Sequence, residues 1–231
     1  MMNLIKGIAL SIALLAGFST IVFAQKTMAA PYEVSKKERK EGFKALFDGI
    51  TMDHWKGNNT DYVVEEGTIT MRPSGNSGGN LYSKDTFENF ILRFEFLLEP
   101  AGNNGLGIRH DFTEAGSGYK GMELQILDNN HPKYSKLEES QYHGSVYKII
   151  PAKRGFLKPS GQWNYQEVRA QGDHIQVILN GEMILDGHLK EATAAMKEGT
   201  FMKEVLNKSG HLAFLGHGSV VKFKNLRIKR L

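Results

Sequence analysis

His-Ile-Gln-Val-Ile-Leu-Asn-Gly-Glu-Met-Ile-Leu (174–185) sets two apolar runs around one Asn-Gly pair. Both residues of that pair tolerate positive φ, which a tight antiparallel turn demands. The stretch predicts strands at His174–Asn180 and Met183–Leu185 joined as a hairpin. The same punctuation recurs outward from it. Phe90–Leu98 (FILRFEFLL) interrupts an apolar run with Arg93 and Glu95, the alternation of a half-buried strand. Tyr62–Glu65 and Thr68–Met71 flank Glu66-Gly67, a second hairpin signal. Phe43–Phe47, Gly121–Asp128, Gly144–Ile150, Trp163–Ala170, His211–Leu215 and Val220–Ile228 read as further strands, and Pro73–Asn80 as a loop. Strand follows strand without alternating helices, which predicts an all-β fold, a sandwich or jelly roll. Lys190–Asn207 departs from the pattern. Its helix formers, broken by Gly199, predict one or two short helices inserted in a loop. Glu33–Glu41 could form another short helix. No internal repeat is present, and residues 42–231 read as a single domain behind a polar lead-in at 25–41.

Composition narrows the chemistry. The 231 residues contain no cysteine, which excludes disulfides, thiolate metal sites, a thiol nucleophile and a lipidated N-terminus. With 25 glycines and abundant Phe and Tyr, the chain suits turns and pleated surfaces. Lys6 followed by the uncharged run Gly7–Ala24, ending Val22-Phe23-Ala24, reads as a signal peptide (1–24) cut before Gln25. The expectation is an exported protein, periplasmic or extracellular and not lipidated, with no stable membrane insertion after cleavage. The basic run Lys36-Lys37-Glu38-Arg39-Lys40 lacks interleaved aromatics, so a nucleic-acid partner is not expected.

Three features could carry chemistry. On a strand, Glu123 and Gln125 share one face, while Leu124 and Ile126 share the other and would be buried between sheets. Asp128 falls out of phase, but a bulge or the strand end could bring it beside Glu123. Two carboxylates on an open sheet face are what glycosidic chemistry requires; the alternative is a polar outer face with Asp128 opening a turn. Asn103-Asn104-Gly105-Leu106-Gly107-Ile108-Arg109-His110 combines amides suited to sugar hydroxyls with a guanidinium that can polarise a carbonyl. It also reads as an ordinary turn with Arg109 partnering Glu123 or Asp128. His143 and His217, each before a glycine at a predicted strand end, could shuttle protons or, with a carboxylate, ligate a divalent metal. Tyr119, Tyr147 and Trp163 are among the aromatics that could stack on a sugar, although each could as well pack in the core.

Taken in order, Gly-Phe-Lys-Ala-Leu-Phe-Asp-Gly (42–49), Trp55, Asn103-Asn104-Gly105, Ile108-Arg109, Gly121–Asp128, Gly144–Tyr147, Trp163-Asn164, Leu179-Asn180-Gly181, His217-Gly218 and Phe223–Lys229 resemble the 3-keto-disaccharide hydrolase family. The resemblance implies a concanavalin A-like jelly-roll sandwich of two antiparallel sheets. It implies an enzyme acting on an oxidised glycoside or disaccharide: a base removes the proton at C2 beside the C3 ketone, the C1 aglycone is eliminated, and water adds back. Glu123 is then the expected base or a metal ligand, and Arg109 the expected stabiliser of the enolate oxygen. Asp128, His143 or His217 would be the acid. Asn103, Asn104, Gln125, Tyr119 and Tyr147 are expected to bind the sugar. A divalent cation on Glu123, Asp128 and His143 could assist or replace Arg109. Two other functions remain open at this level: a lectin-like carbohydrate binder without activity, and an ordinary two-carboxylate glycoside hydrolase using Glu123 and Asp128.

Overall fold

The computed structural model describes residues 32–74, 79–112, 120–194, 196–197, 199 and 203–231. In chain order its strands are β1 (Lys44–Ala45), β2 (Trp55–Gly57), β3 (Tyr62–Glu65), β4 (Thr68–Met71), β5 (Asn80–Phe87), β6 (Phe90–Leu98), β7 (Asn103–His110), β8 (Met122–Leu127), β9 (Trp163–Gln171), β10 (His174–Leu179), β11 (Glu182–His188), β12 (Gly210–Gly216) and β13 (Val221–Arg230). Helix α1 spans Lys36–Lys40, and α2 spans Leu189–Ala194. A 3-10 turn at Lys203–Leu206 follows α2, so the insertion after β11 does carry short helices. The signal peptide expected over 1–24 lies outside the described residues. Among the described residues, no helix is long and apolar enough to cross a membrane.

Two antiparallel sheets make the sandwich. The larger runs β11-β10-β9-β6-β13-β4-β3, with β1 beside β13, and the smaller runs β2-β5-β12-β7-β8. Each strand gives alternate residues to the interior. Phe94 of β6 and Phe223 of β13 meet Phe214 of β12, whose ring stacks on Phe223 at 3.8 Å between centroids, and Phe96 of β6 packs against Phe94. All four are fully buried, and each such ring contributes roughly 1.5–3 kcal/mol of burial. Trp55 stacks on Phe214 and donates its indole N–H to the Leu46 carbonyl at 2.9 Å. In α1, Ser35 accepts from the Glu38 N–H and caps the helix. Glu38 then reaches Arg93 (3.0 Å) and Arg227 (2.7 Å), fastening the lead-in onto the outer face of the larger sheet.

Several sequence expectations change. Phe43–Phe47 contracts to the two residues of β1. β2 and β5 lie where no strand was read, β7 runs through Asn103–His110, where an ordinary turn was one of two readings, and Asn80 opens β5 rather than closing a loop. Gly144–Ile150 is not a strand. Its backbone instead lines the outer edge of β8: the Gly144 N–H donates to the Gln125 carbonyl (2.8 Å), the Gln125 N–H to Ser145 (3.0 Å) and the Tyr147 N–H to Glu123 (2.9 Å). Lys148 then takes φ 60° and ends the pairing.

Candidate active site

The smaller sheet buries Leu106, Ile108, Leu124 and Ile126 against the core, so alternate positions of β7 and β8 face outward. Register pairs Gly107 with Glu123 and Gly105 with Gln125. Asn103, Gly105, Gly107, Glu123 and Gln125 therefore share the open face; of these, the period-two pattern of 118–128 predicts the placing of Glu123 and Gln125. On the next strand, Ala213 pairs with Gly107 and Leu215 with Gly105. Tyr82 lies beyond Ala213.

Glu123 is the centre of this face. Its side chain leans over Gly105, where any Cβ would intrude on the carboxylate. Nε2 of His217, in the loop leaving β12, reaches its Oε1 at 3.4 Å. Its Oε2 is buried with no partner among the described residues. Burial pushes the Glu123 carboxyl above the usual carboxylate range, and the His217 contact pulls it part of the way back. The amide oxygens of Asn103 and Gln125 are likewise buried without partners. Three unpaired acceptors on one patch of sheet form a site that asks for donors. Tyr147 joins the same side, because Val146 turns into the core and the Tyr147 N–H is held by the Glu123 carbonyl. Its hydroxyl accepts from Gln141 Nε2 at 3.0 Å.

Other expected residues are elsewhere. Asn104 points inward, donating to the Tyr62 hydroxyl at 2.9 Å across the sandwich. His143 is a core residue: its Nδ1 accepts from the Leu127 N–H, Nε2 lies 3.0 Å from Gln166 Oε1, and its ring stacks on Phe96. Burial lowers its pKa to about 4, so it is neutral and closed to proton shuttling. Arg109 takes φ 55° and turns away from the open face. Its guanidinium donates to the carbonyls of Glu88 (2.8 Å), Gly172 (2.6 Å) and Asn207 (3.3 Å), and burial lowers its pKa. It fastens three chain segments and does not approach Glu123. Asp128 accepts from the Ala101 N–H (3.1 Å) and Ser160 Oγ (2.8 Å). Lying five residues beyond Glu123 and past the strand end, it is about 16 Å along the chain. That exceeds the roughly 5–9.5 Å between the carboxyl groups of paired-carboxylate glycosidases. Tyr119 lies outside the described residues.

The donors do not fit a divalent cation either. Glu123, Asp128 and His143 diverge, and among the described residues no three His, Asp or Glu side chains gather as metal ligands.

The sequence reading missed the far side of the open face. Lys56, Tyr82, Phe112 and His211 cluster there: Tyr82 and Phe112 meet edge-on at 5.3 Å, and the Lys56 ammonium lies 3.9 Å from the Phe112 centroid. The signal was Leu81-Tyr82, a β-forming pair masked by the preceding glycines and by Lys84-Asp85.

Comparison with known proteins agrees with this fold. The family described as 3-keto-alpha-glucoside-1,2-lyase-like domain matches residues 42–229, nearly all of the described sandwich. The chain belongs to that family. The chain is also 30% identical to the 3-keto-disaccharide hydrolase of Bacteroides thetaiotaomicron; the match covers 83% of this chain and 79% of that protein. A crystal structure of a provisional glycosyl hydrolase from Parabacteroides distasonis superposes with a TM-score of 0.75 at 25% identity, covering 86% of this chain and 98% of that one. A Bacillus subtilis protein of galectin-like fold reaches 0.50 at 12% identity over 85% of this chain and 92% of that one, a likeness of fold alone. The 3-keto-alpha-glucoside-1,2-lyase-like domain is thus a jelly-roll sandwich, and this chain is a carbohydrate-active protein of glycoside-hydrolase type.

Proposed function

We propose that the protein cleaves 3-keto-glycosides by elimination and rehydration across C1 and C2, with Glu123 as the base. One observation carries the reading: a buried carboxyl with one oxygen on His217 and the other without a partner among the described residues, beside two more acceptors likewise unpaired among them. A ketone at C3 acidifies the C2 proton. Glu123 Oε2 takes that proton, and the C–H electron pair forms the enolate. The enolate reforms the ketone, gives the C1–C2 double bond and breaks the C1–O bond. His217, about one-third exposed at the mouth of the site, returns a proton to the departing oxygen. Water then adds its hydroxyl at C1 and its proton at C2. The amide N–H of Gln125, on the same face, is the donor we assign to the C3 oxygen. Arg109 has no part in this scheme. Its carbonyl partners hold it elsewhere.

The name of the Bacteroides relative supports this substrate class. The raised pKa of Glu123 suits a base working near neutral pH. Since the base must be ionised, kcat/KM rises as pH rises through that raised value. The decisive test offers the purified protein an unmodified disaccharide and its 3-keto form in deuterium oxide. Deuterium at C2 of the sugar released from the keto form is the expected result. Glu123→Gln should lower turnover by about 10²–10⁴-fold while sugar binding survives. Cleavage of the unmodified sugar without C2 exchange rejects elimination, and wild-type binding without turnover of either sugar leaves a lectin.

We place this activity outside the cytoplasm, on the signal-peptide pattern of residues 1–24. The purified mature protein should have an intact mass beginning at Gln25.

A further inference from the structure

The outer face of the larger sheet is only half covered. Helix α1 and its Glu38 contacts close one end, over Arg93 and Arg227. At the other end register aligns Trp163, Leu97, Lys222 and Thr70 in one row across β9, β6, β13 and β4. The β3–β4 hairpin rises beside this row with Glu65 and Arg72, which pair at 2.7 Å. Together they line a cavity of about 560 Å³, within the usual size range of small-ligand sites.

Trp163 is one of two tryptophans in the chain. Trp55 is buried in the core, whereas Trp163 stays half-buried on this polar face. The Lys224 ammonium lies 4.0 Å from its ring centroid and 3.6 Å from Glu95. An indole beside Leu97 gives a flat apolar floor for the C–H face of a pyranose. Lysine, arginine, glutamate and threonine around it donate and accept hydrogen bonds as sugar hydroxyls require. The charges largely pair off, Arg72 with Glu65 and Lys224 with Glu95, which favours an uncharged ligand over an acidic one. Glu123 faces outward from the other sheet, so the whole sandwich separates the two sites.

We propose that this groove is a second, non-catalytic binding site for an uncharged oligosaccharide, centred on Trp163. It would hold a glycan on one face while the chemistry proceeds on the other. A bound pyranose displaces the Lys224 ammonium from the indole and gives it a hydroxyl instead.

The test uses the chain's own fluorescence, because Trp163 is the tryptophan a ligand can reach. Neutral hexasaccharides of α-1,4-glucan, β-1,4-glucan, β-1,4-mannan and β-1,4-xylan are titrated into the full-length Glu123→Gln protein, with hexagalacturonate as the acidic control. At least one neutral hexasaccharide should shift the emission saturably. By calorimetry, Trp163→Ala should weaken that binding tenfold or more. In the otherwise wild-type chain the same substitution should leave turnover of a soluble 3-keto-disaccharide unchanged. Should Trp163→Ala fail to fold, Lys222→Ala keeps the indole and should weaken binding with the fluorescence readout intact. Binding undiminished in both variants, binding of hexagalacturonate alone, or no response to any neutral hexasaccharide each overturns the groove. None of these outcomes bears on elimination at Glu123, which the deuterium experiment decides separately.

Discussion

At Gly105 a missing side chain makes the site. The Glu123 carboxylate occupies the space that a Cβ would need, and the backbone beneath it is ordinary extended strand. Gly105→Ala should therefore fold and still lose about 100-fold or more in turnover, since small misplacements of a reacting group cost that much. Circular dichroism checks the first half and steady-state kinetics the second. If Gly105→Ala turns over normally, Glu123 is not the base. The face of Glu123 was legible in the sequence because Glu123 and Gln125 alternate with Met122, Leu124 and Ile126. Its meeting with His217 was not, because 94 residues separate the two and only the pairing of β12 with β7 brings them together. Asn104, Asp128 and His143 show the opposite case. Their side chains suit catalysis, but here they satisfy buried hydrogen bonds, a use that residue type alone does not reveal.

At the scale of elements, β7 was the main loss to sequence reading. Its glycines suggested a turn, yet Gly105 and Gly107 are strand positions kept bare because Glu123 and the His110 ring lie over them. β8, β6 and the β10–β11 hairpin were legible because period-two alternation and the Asn-Gly turn are local signals. The end of β7 shows a second role hidden from sequence. There Arg109 ties together the β5–β6 turn, the β9–β10 turn and the segment before β12 through three carbonyls. Arg109→Gln strips those acceptors inside a largely buried setting and should cost roughly 2–4 kcal/mol of stability. Urea unfolding measures this. The folded fraction should keep its kcat within a few-fold, whereas an enolate-stabilising arginine would cost orders of magnitude.

For the whole molecule, acid is the informative perturbation. Burial lowers both His110 and His143 to about 4 from an ordinary value near 6.5. Unfolding frees them to take up protons, so their stabilisation is complete above pH 6.5 and is lost as pH falls towards 4. Glu123 runs the other way: its raised pKa stabilises the fold below the ordinary carboxylate range, and that contribution is lost as pH rises. Asp48 and Asp61, held low by hydrogen bonds despite burial, act only at more acid pH. Urea midpoints between pH 6.5 and 4.5 should therefore fall. His143→Gln should flatten the slope by up to about 1.4 kcal/mol per pH unit, and Glu123→Gln should steepen it. An unchanged slope in His143→Gln would show that this histidine is not held neutral. The two-sheet architecture was legible from strand spacing, whereas the inter-sheet pairs Asn104–Tyr62 and His143–Gln166 depend on which residues the packed sheets bring opposite one another. One feature of the assembly reaches beyond a single molecule. β8 is the terminal strand of its sheet, and a bare terminal strand is a template on which another chain can polymerise. The backbone at 144–147 occupies that template and then kinks away at Lys148. The loop beside the carboxylate thus also guards against fibre formation, and substitutions that loosen it should be found first in the insoluble fraction.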